Sequence, residues 1–355
     1  MRRRAIGVLV CLALGLFALS CGEDGEEGGG GAGAEAETGT LTFVSWGGAY
    51  QDAQTVAMTD PWAKETGNKV VHDGPTDYAK IKVQVQSGNV EWDVVDVEGY
   101  FDLGKNCGTL FEELDYEVID KSKLVPELVS DCGAPAMQYN YVLMYDKKKF
   151  GDNPPTSWAD FFDTAKFPGK RGVWNYVSGG QLEAALLADG VPAEEVYPID
   201  YDRAFKVLDG IKGDIAFYDA GAQQQQQMES GEVAMSIAWT GRAFSAVENG
   251  ASFEPAWKDN IAVYEHFTIP KGSENKDLAM EFIAYATGAD AQARLTETIP
   301  YAPINLDAKP KVGKKLETFL ATNPEVEGQS VVQDMQWYAD NFDEASRLWV
   351  EWTQG

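Results

Sequence analysis

Histidine is nearly missing from this chain, with only His72 and His266 in 355 residues. That removes most routes to a zinc or non-haem iron centre and to imidazole general-base chemistry. Gly-x-Ser-x-Gly, His-Glu-x-x-His and a phosphate loop ending in Gly-Lys-Ser/Thr are also missing. Acid–base work would fall to carboxylates, and these are so common here that pairs of them discriminate nothing. Positive charge is scarce: 29 Lys and Arg face 56 Asp and Glu, for a formal net charge of −27, so nucleic acid is an unsuited partner. After residue 20 no apolar run approaches the roughly 20 residues of a membrane span. No catalytic residue, cofactor or metal site is called for.

What is present begins with Arg2, Arg3 and Arg4, followed by an apolar run from Ala5 to Ser20 that stops at Cys21. This is a secretory signal, too short to span a bilayer. Ala18-Leu19-Ser20-Cys21 resembles a bacterial lipobox, with Ala18 where a Leu is commoner, and implies lipidation of Cys21. Residues 22–40 are rich in Gly, Glu and Ala and cannot bury a core, so they read as a flexible tether reaching on the order of 25 Å. Export is expected, to a periplasmic space or the outer face of the cell membrane. Cys11 lies in the signal, which leaves Cys107 and Cys132. In an exported protein such a pair most often forms a disulfide, here closing a loop of about 25 residues worth about 3 kcal/mol.

From Leu41 onward the remaining chain exceeds what one core usually holds, so two lobes are expected. Its 10 Trp, 15 Tyr and 16 Phe mark it as globular. A strand at Leu41–Ser45, a helix from about Tyr50 to Thr66, a strand at Lys69–Val71, a helix at Asp77–Ser87 and a strand at Trp92–Val97 make a βαβαβ unit. After the Asp152–Thr156 loop the pattern restarts. Strands are expected at Lys170–Trp174, Ile215–Phe217 and Val233–Trp239, with helices at Gln181–Asp189 and Asp202–Ile211. A crossing strand near Ile261–Ile269, a helix at Lys276–Thr287 and a helix-rich stretch from Val312 to Trp352 follow. The Gln223–Gln227 run reads as a solvated helix start. Such units imply an α/β fold with parallel strands, whose ligands sit at the carboxyl ends of those strands.

Aromatic residues occur at strand ends and turns, most of them beside glycine, with Tyr301 at the end of a helix. Ser45-Trp46-Gly47-Gly48-Ala49-Tyr50, Glu98-Gly99-Tyr100, Ala238-Trp239-Thr240-Gly241 and Ile299-Pro300-Tyr301 suit a ligand cleft better than a core. Together with Pro155–Asp160, Phe167–Gly172, Gly231–Gly241, Phe267–Gly272 and Thr298–Asn305, in that order, they resemble bacterial extracellular solute-binding proteins of the spermidine/putrescine-binding type. The likeness runs from about residue 40 to residue 305. It implies a two-lobed periplasmic-binding-protein fold of class II type with two crossover hinge strands. The lobes would be 41–146 plus 265–310 and 147–264 plus 311–355, after a 1–21 signal and the 22–40 tether. It also implies a monomeric receptor, lipid-anchored to the membrane, that hands a small-molecule amine to ABC permease subunits.

Carried over residue by residue, the family's polyamine site falls on Trp46, Tyr50, Glu98, Tyr100, Trp239, Glu265 and Tyr301. Aromatic faces and carboxylates suit an alkyl-ammonium, each desolvated ring contributing about 0.5–2 kcal/mol. The likeness breaks at Tyr176–Gly180, where polyamine binders carry acidic residues; Glu183 is the nearest substitute. A zwitterion such as γ-aminobutyrate (GABA), its carboxylate on backbone N–H groups at that glycine-rich helix start, is therefore an alternative to putrescine or spermidine. Ferric iron at Tyr139 and Tyr141, and a secreted polysaccharide-active enzyme, are further alternatives.

Overall fold

The computed structural model describes residues 38–355. The signal, Cys21 with its proposed lipidation, and the tether up to residue 37 lie outside the described residues. Nine strands form one mixed sheet: β1 (Thr40–Val44), β2 (Lys69–Asp73), β3 (Val94–Glu98), β4 (Gly133–Asp146), β5 (Arg171–Trp174), β6 (Ile215–Tyr218), β7 (Met235–Trp239), β8 (Phe253–Thr268) and β9 (Ser330–Val332). The order is β2-β1-β3-β8-β4-β7-β5-β6, with β9 beside β8.

Two parallel blocks, β2-β1-β3 and β7-β5-β6, lie on either side of the long antiparallel pair β4 and β8. The first block meets the C-terminal end of β8, through Val95↔Thr268 to Glu98↔Glu265. The second meets the C-terminal end of β4, through Tyr141↔Trp239 to Tyr145↔Met235. A two-lobed fold with two crossing strands follows from this pairing. The disulfide between Cys107 and Cys132 closes the loop that leads into β4. β3 is buried at every position, as a parallel strand covered on both faces must be.

Three expected elements differ in detail. The helix from Tyr50 to Thr66 runs as Gly48–Gln54, a five-residue π segment Thr55–Thr59, and Asp60–Thr66. Pro61 has no N–H to give to the Ala57 carbonyl, which accepts instead from Arg294 Nε at 2.9 Å, while Thr55 Oγ1 bonds back to Gln51 O at 2.8 Å. The crossing strand starts at Phe253, earlier than its apolar run suggests. The glutamines begin helix Gly221–Ser230, yet Gln224 and Gln227 are buried. Gln224 Nε2 donates to the Tyr218 hydroxyl at 2.6 Å and Gln227 Nε2 to Phe217 O at 3.2 Å, which anchors the helix to β6.

Candidate functional site

Each of the six parallel strands delivers a residue from its carboxyl end to one cavity of about 150 Å³. Trp46 follows β1, Pro75 and Thr76 follow β2, Glu98 ends β3, Trp174 ends β5, Asp219 to Gly221 follow β6, and Trp239 ends β7 with Arg242 three residues on. Tyr50 in the helix after β1, Tyr139 on β4, Glu265 on β8 and Tyr301 complete the lining. The carboxyl-end rule for parallel sheets thus holds for both blocks at once. The cavity matches the ~150 Å³ that takes up benzene in an engineered protein core, so its occupant is on the order of six or seven heavy atoms.

The buried acids belong to the first lobe; the second lobe's Asp219 is exposed and accepts from Asn175 Nδ2 at 3.0 Å. Glu98 and Glu265 are direct partners across β3 and β8, on the same face of the sheet. Trp46 Nε1 donates to Glu265 Oε2 at 2.6 Å. Tyr50 Oη and Gln54 Nε2 donate to Asp96 Oδ2 at 2.7 and 2.6 Å. Burial, then the neighbouring Asp96 charge, pushes the Glu265 carboxyl well above the ordinary range. Burial likewise raises Asp96, against hydrogen bonds that favour its charged form. Glu98 is pushed up to about 7 by burial, opposed by bonds from Tyr100, Ser178 and Tyr78.

The second lobe supplies two indoles in edge-to-face contact and a cation. Trp174 and Trp239 lie 4.9 Å apart, edge to face. Arg242, 5% exposed, donates from Nη2 to Gly47 O at 2.6 Å, a bond between the lobes. Two glycines make room for its guanidinium. A Cβ at Gly221 would stand 2.5 Å from Arg242 Nε, and one at Gly48, whose φ is 52°, would stand 2.7 Å from Nη1. Among the described residues no carboxylate forms an ion pair with Arg242. A buried guanidinium without a counter-ion is costly unless a ligand anion completes it.

Six of the seven expected site residues line this cavity: Trp46, Tyr50, Glu98, Trp239, Glu265 and Tyr301. Tyr100 does not. It sits behind Glu98, donating to Oε2 at 2.9 Å and stacking on Phe342 at 5.1 Å, because the turn after β3 carries it away from the strand end. Glu183 is no substitute acid for the cavity: it is buried elsewhere, accepting from Tyr197, Tyr338 and Gln333. Residues 176–180 do not line the cavity; Ser178 turns its hydroxyl to Glu98 Oε1 at 3.0 Å. Tyr139 lines the cavity, and burial pushes the Tyr139 and Tyr141 phenols well up, the reverse of what a tyrosinate iron ligand needs. Sequence reasoning missed Trp174, a strand-end aromatic like the others, and Arg242, one residue beyond the Gly231–Gly241 motif.

Residues 57–327 match the family described as bacterial extracellular solute-binding protein. The chain is 36% identical over 330 residues to the gamma-aminobutyric acid-binding protein of Pseudomonas aeruginosa, covering 90% of this chain and 92% of that one. It is 24% identical over 339 residues to the spermidine/putrescine-binding periplasmic protein of Salmonella typhimurium, covering 90% and 92%. The solved structure of the Atu4243–GABA receptor superimposes with a TM-score of 0.81 at 43% identity, over 88% of this chain and 97% of that one.

Proposed function

This chain belongs to the bacterial extracellular solute-binding proteins, and from that premise we propose that it is the receptor of an ABC importer for a short ω-amino acid of the GABA type. One observation carries the choice: Arg242, buried in the cavity wall and lacking a carboxylate partner among the described residues, stands in the second lobe, while the buried acids Glu98 and Glu265 stand in the first and the second lobe's Asp219 is exposed and accepts from Asn175 Nδ2. A zwitterion has one partner in each lobe, its carboxylate for Arg242 and its ammonium for Glu265 within the rings of Trp46, Tyr50 and Tyr301. Ligand contacts to both lobes shift the population toward the closed form.

Putrescine or spermidine, the first expectation from the motifs, would set an ammonium against the guanidinium, and that repulsion selects against them. The small cavity disfavours spermidine further. The distant polyamine-binding relatives therefore support the receptor role and not the ligand. We further propose that the protein acts as a monomer held to the membrane through Cys21. The lobe limits of residues 41–146 plus 265–310 and 147–264 plus 311–355 are kept as the units that close.

Titration calorimetry with GABA, putrescine and spermidine tests the ligand. GABA is expected to bind at least tenfold more tightly than either amine, and Arg242→Met to lose GABA binding while keeping its melting temperature. Tighter binding of putrescine than of GABA would sink the assignment.

A further inference from the structure

Three carboxyl side chains crowd one face of the sheet where β3 meets β8. Glu98 and Glu265 are direct partners, and Asp96, two residues before Glu98, shares their face on the diagonal to Glu265. All three are buried, at 0% exposure for Asp96, 2% for Glu98 and 6% for Glu265.

The groups that face them from each surrounding element are neutral. They are Trp46, Tyr50 and Gln54 after β1, Tyr78 on its helix, Tyr139 on β4, and Ser178 from the second lobe. Tyr301 also faces Glu265 and Asp96, and Tyr100 backs Glu98. Two charged groups are near but committed. His266 projects from the opposite face of β8 onto Asp102, and Arg242 bonds to Gly47 O without reaching any of the three carboxyls as an ion pair. Three adjacent carboxyls with no cation among them cannot all be ionised in a buried setting.

We propose, on the reading that the cleft takes a zwitterionic ω-amino acid, that the Asp96–Glu265 pair holds one proton in the empty cleft and exchanges it for the ligand's ammonium. The carboxylic O–H bond breaks, its proton passes to solvent, and an ammonium N–H donates to the carboxylate oxygen thus freed. One proton leaves for each ligand bound. Asp96 is a positioning residue here, acting by keeping the proton on the pair. The upward displacement of the Glu265 and Asp96 carboxyls by burial agrees with a protonated resting state. Affinity for GABA should then rise with pH, by up to about tenfold per unit, while the pair remains protonated in the free protein.

The decisive experiment is calorimetry of the full mature chain with GABA, from about pH 6 to about pH 8, in buffers of low and high ionisation enthalpy. The expected result is a buffer-dependent heat corresponding to about one proton released, and infrared loss of a protonated carboxyl C=O band on ligand addition. In Asp96→Asn the release should fall and the pH slope flatten, because Glu265 then has one acidic neighbour, Glu98, in place of two and ionises more readily; a role confined to packing would not move the proton count. GABA binding with buffer-independent heat, or with proton uptake, overturns the exchange and leaves the receptor reading standing. Absence of GABA binding in every buffer overturns the ω-amino-acid reading, and the exchange with it. The wild-type titrations decide the matter even if Asp96→Asn fails to fold.

Discussion

Glu265 and His266 are neighbours on β8, yet they face two different kinds of buried charge. His266 is enclosed by acceptors: Nδ1 lies 2.6 Å from Asp102 Oδ1 and Nε2 lies 2.6 Å from Leu128 O, so an imidazolium can donate to both. Burial alone would lower its pKa, but the Asp102 carboxylate and the two bonds raise it. Asp102 Oδ2 accepts in turn from the Ser130 hydroxyl, which ties the disulfide loop to the crossing strand. On the other face Glu265 has an indole N–H and two more acids for company. A charge already answered within the fold holds the fold together. A charge left for something else marks the cleft.

Breaking the answered pair should have the largest effect. Asp102→Ala strands a buried imidazole and is expected to cost about 3–5 kcal/mol in urea unfolding, with GABA affinity changed only a few-fold. Equal loss of binding and stability would erase the contrast between the two faces. Glu265→Gln should do the opposite. Removing an uncompensated acid leaves stability unchanged or slightly higher, while GABA affinity, read by calorimetry, falls by about 2–3 kcal/mol.

The pH dependence sharpens the same contrast. Glu265, Asp96, Glu98 and His266 all have folded pKa values raised above their unfolded ones, so the folded state holds more protons. Their stabilising contribution is complete below the unfolded values, about 4 for the carboxyls and about 6.5 for the imidazole, and fades as pH rises through the folded ones. The ligand-free protein should therefore melt at a lower temperature at about pH 8 than at about pH 5.5. GABA should raise the melting point more at the higher pH, and Glu265→Gln should flatten that difference. The smallest change is expected from Tyr100→Phe, which removes one bond to Glu98 and should weaken GABA binding by about 1 kcal/mol or less.

Much of the cleft was legible because strand-end aromatics flanked by glycine are rare in a core and expected at a site. Trp46, Tyr50 and Trp239 were readable on that ground, and Tyr301 through the family resemblance. Glu265 is legible as a carboxylate on an apolar strand, which is costly unless it has a partner or a task. Tyr100 was misplaced because sequence places a residue near a strand end without saying how far the following turn swings it away. Arg242 stayed hidden because an arginine in the first turn of a polar-faced helix usually lies in solvent. Its burial depends on Gly48 and Gly221, which are distant in sequence.

The sequence by itself determined the two parallel blocks, the crossing strand near Ile261–Ile269 and the strand ends that line the cleft, since local periodicity and turn chemistry encode these directly, while the second crossing strand was legible only through the family resemblance. Which charges are answered was decided only in three dimensions. The register of β3 on β8 sets Glu98 opposite Glu265 and sends His266 to the other face, and chain segments brought from far apart leave Arg242 without an acid. A buried charge is judged by its whole surroundings, and those surroundings exist only once the two lobes are assembled.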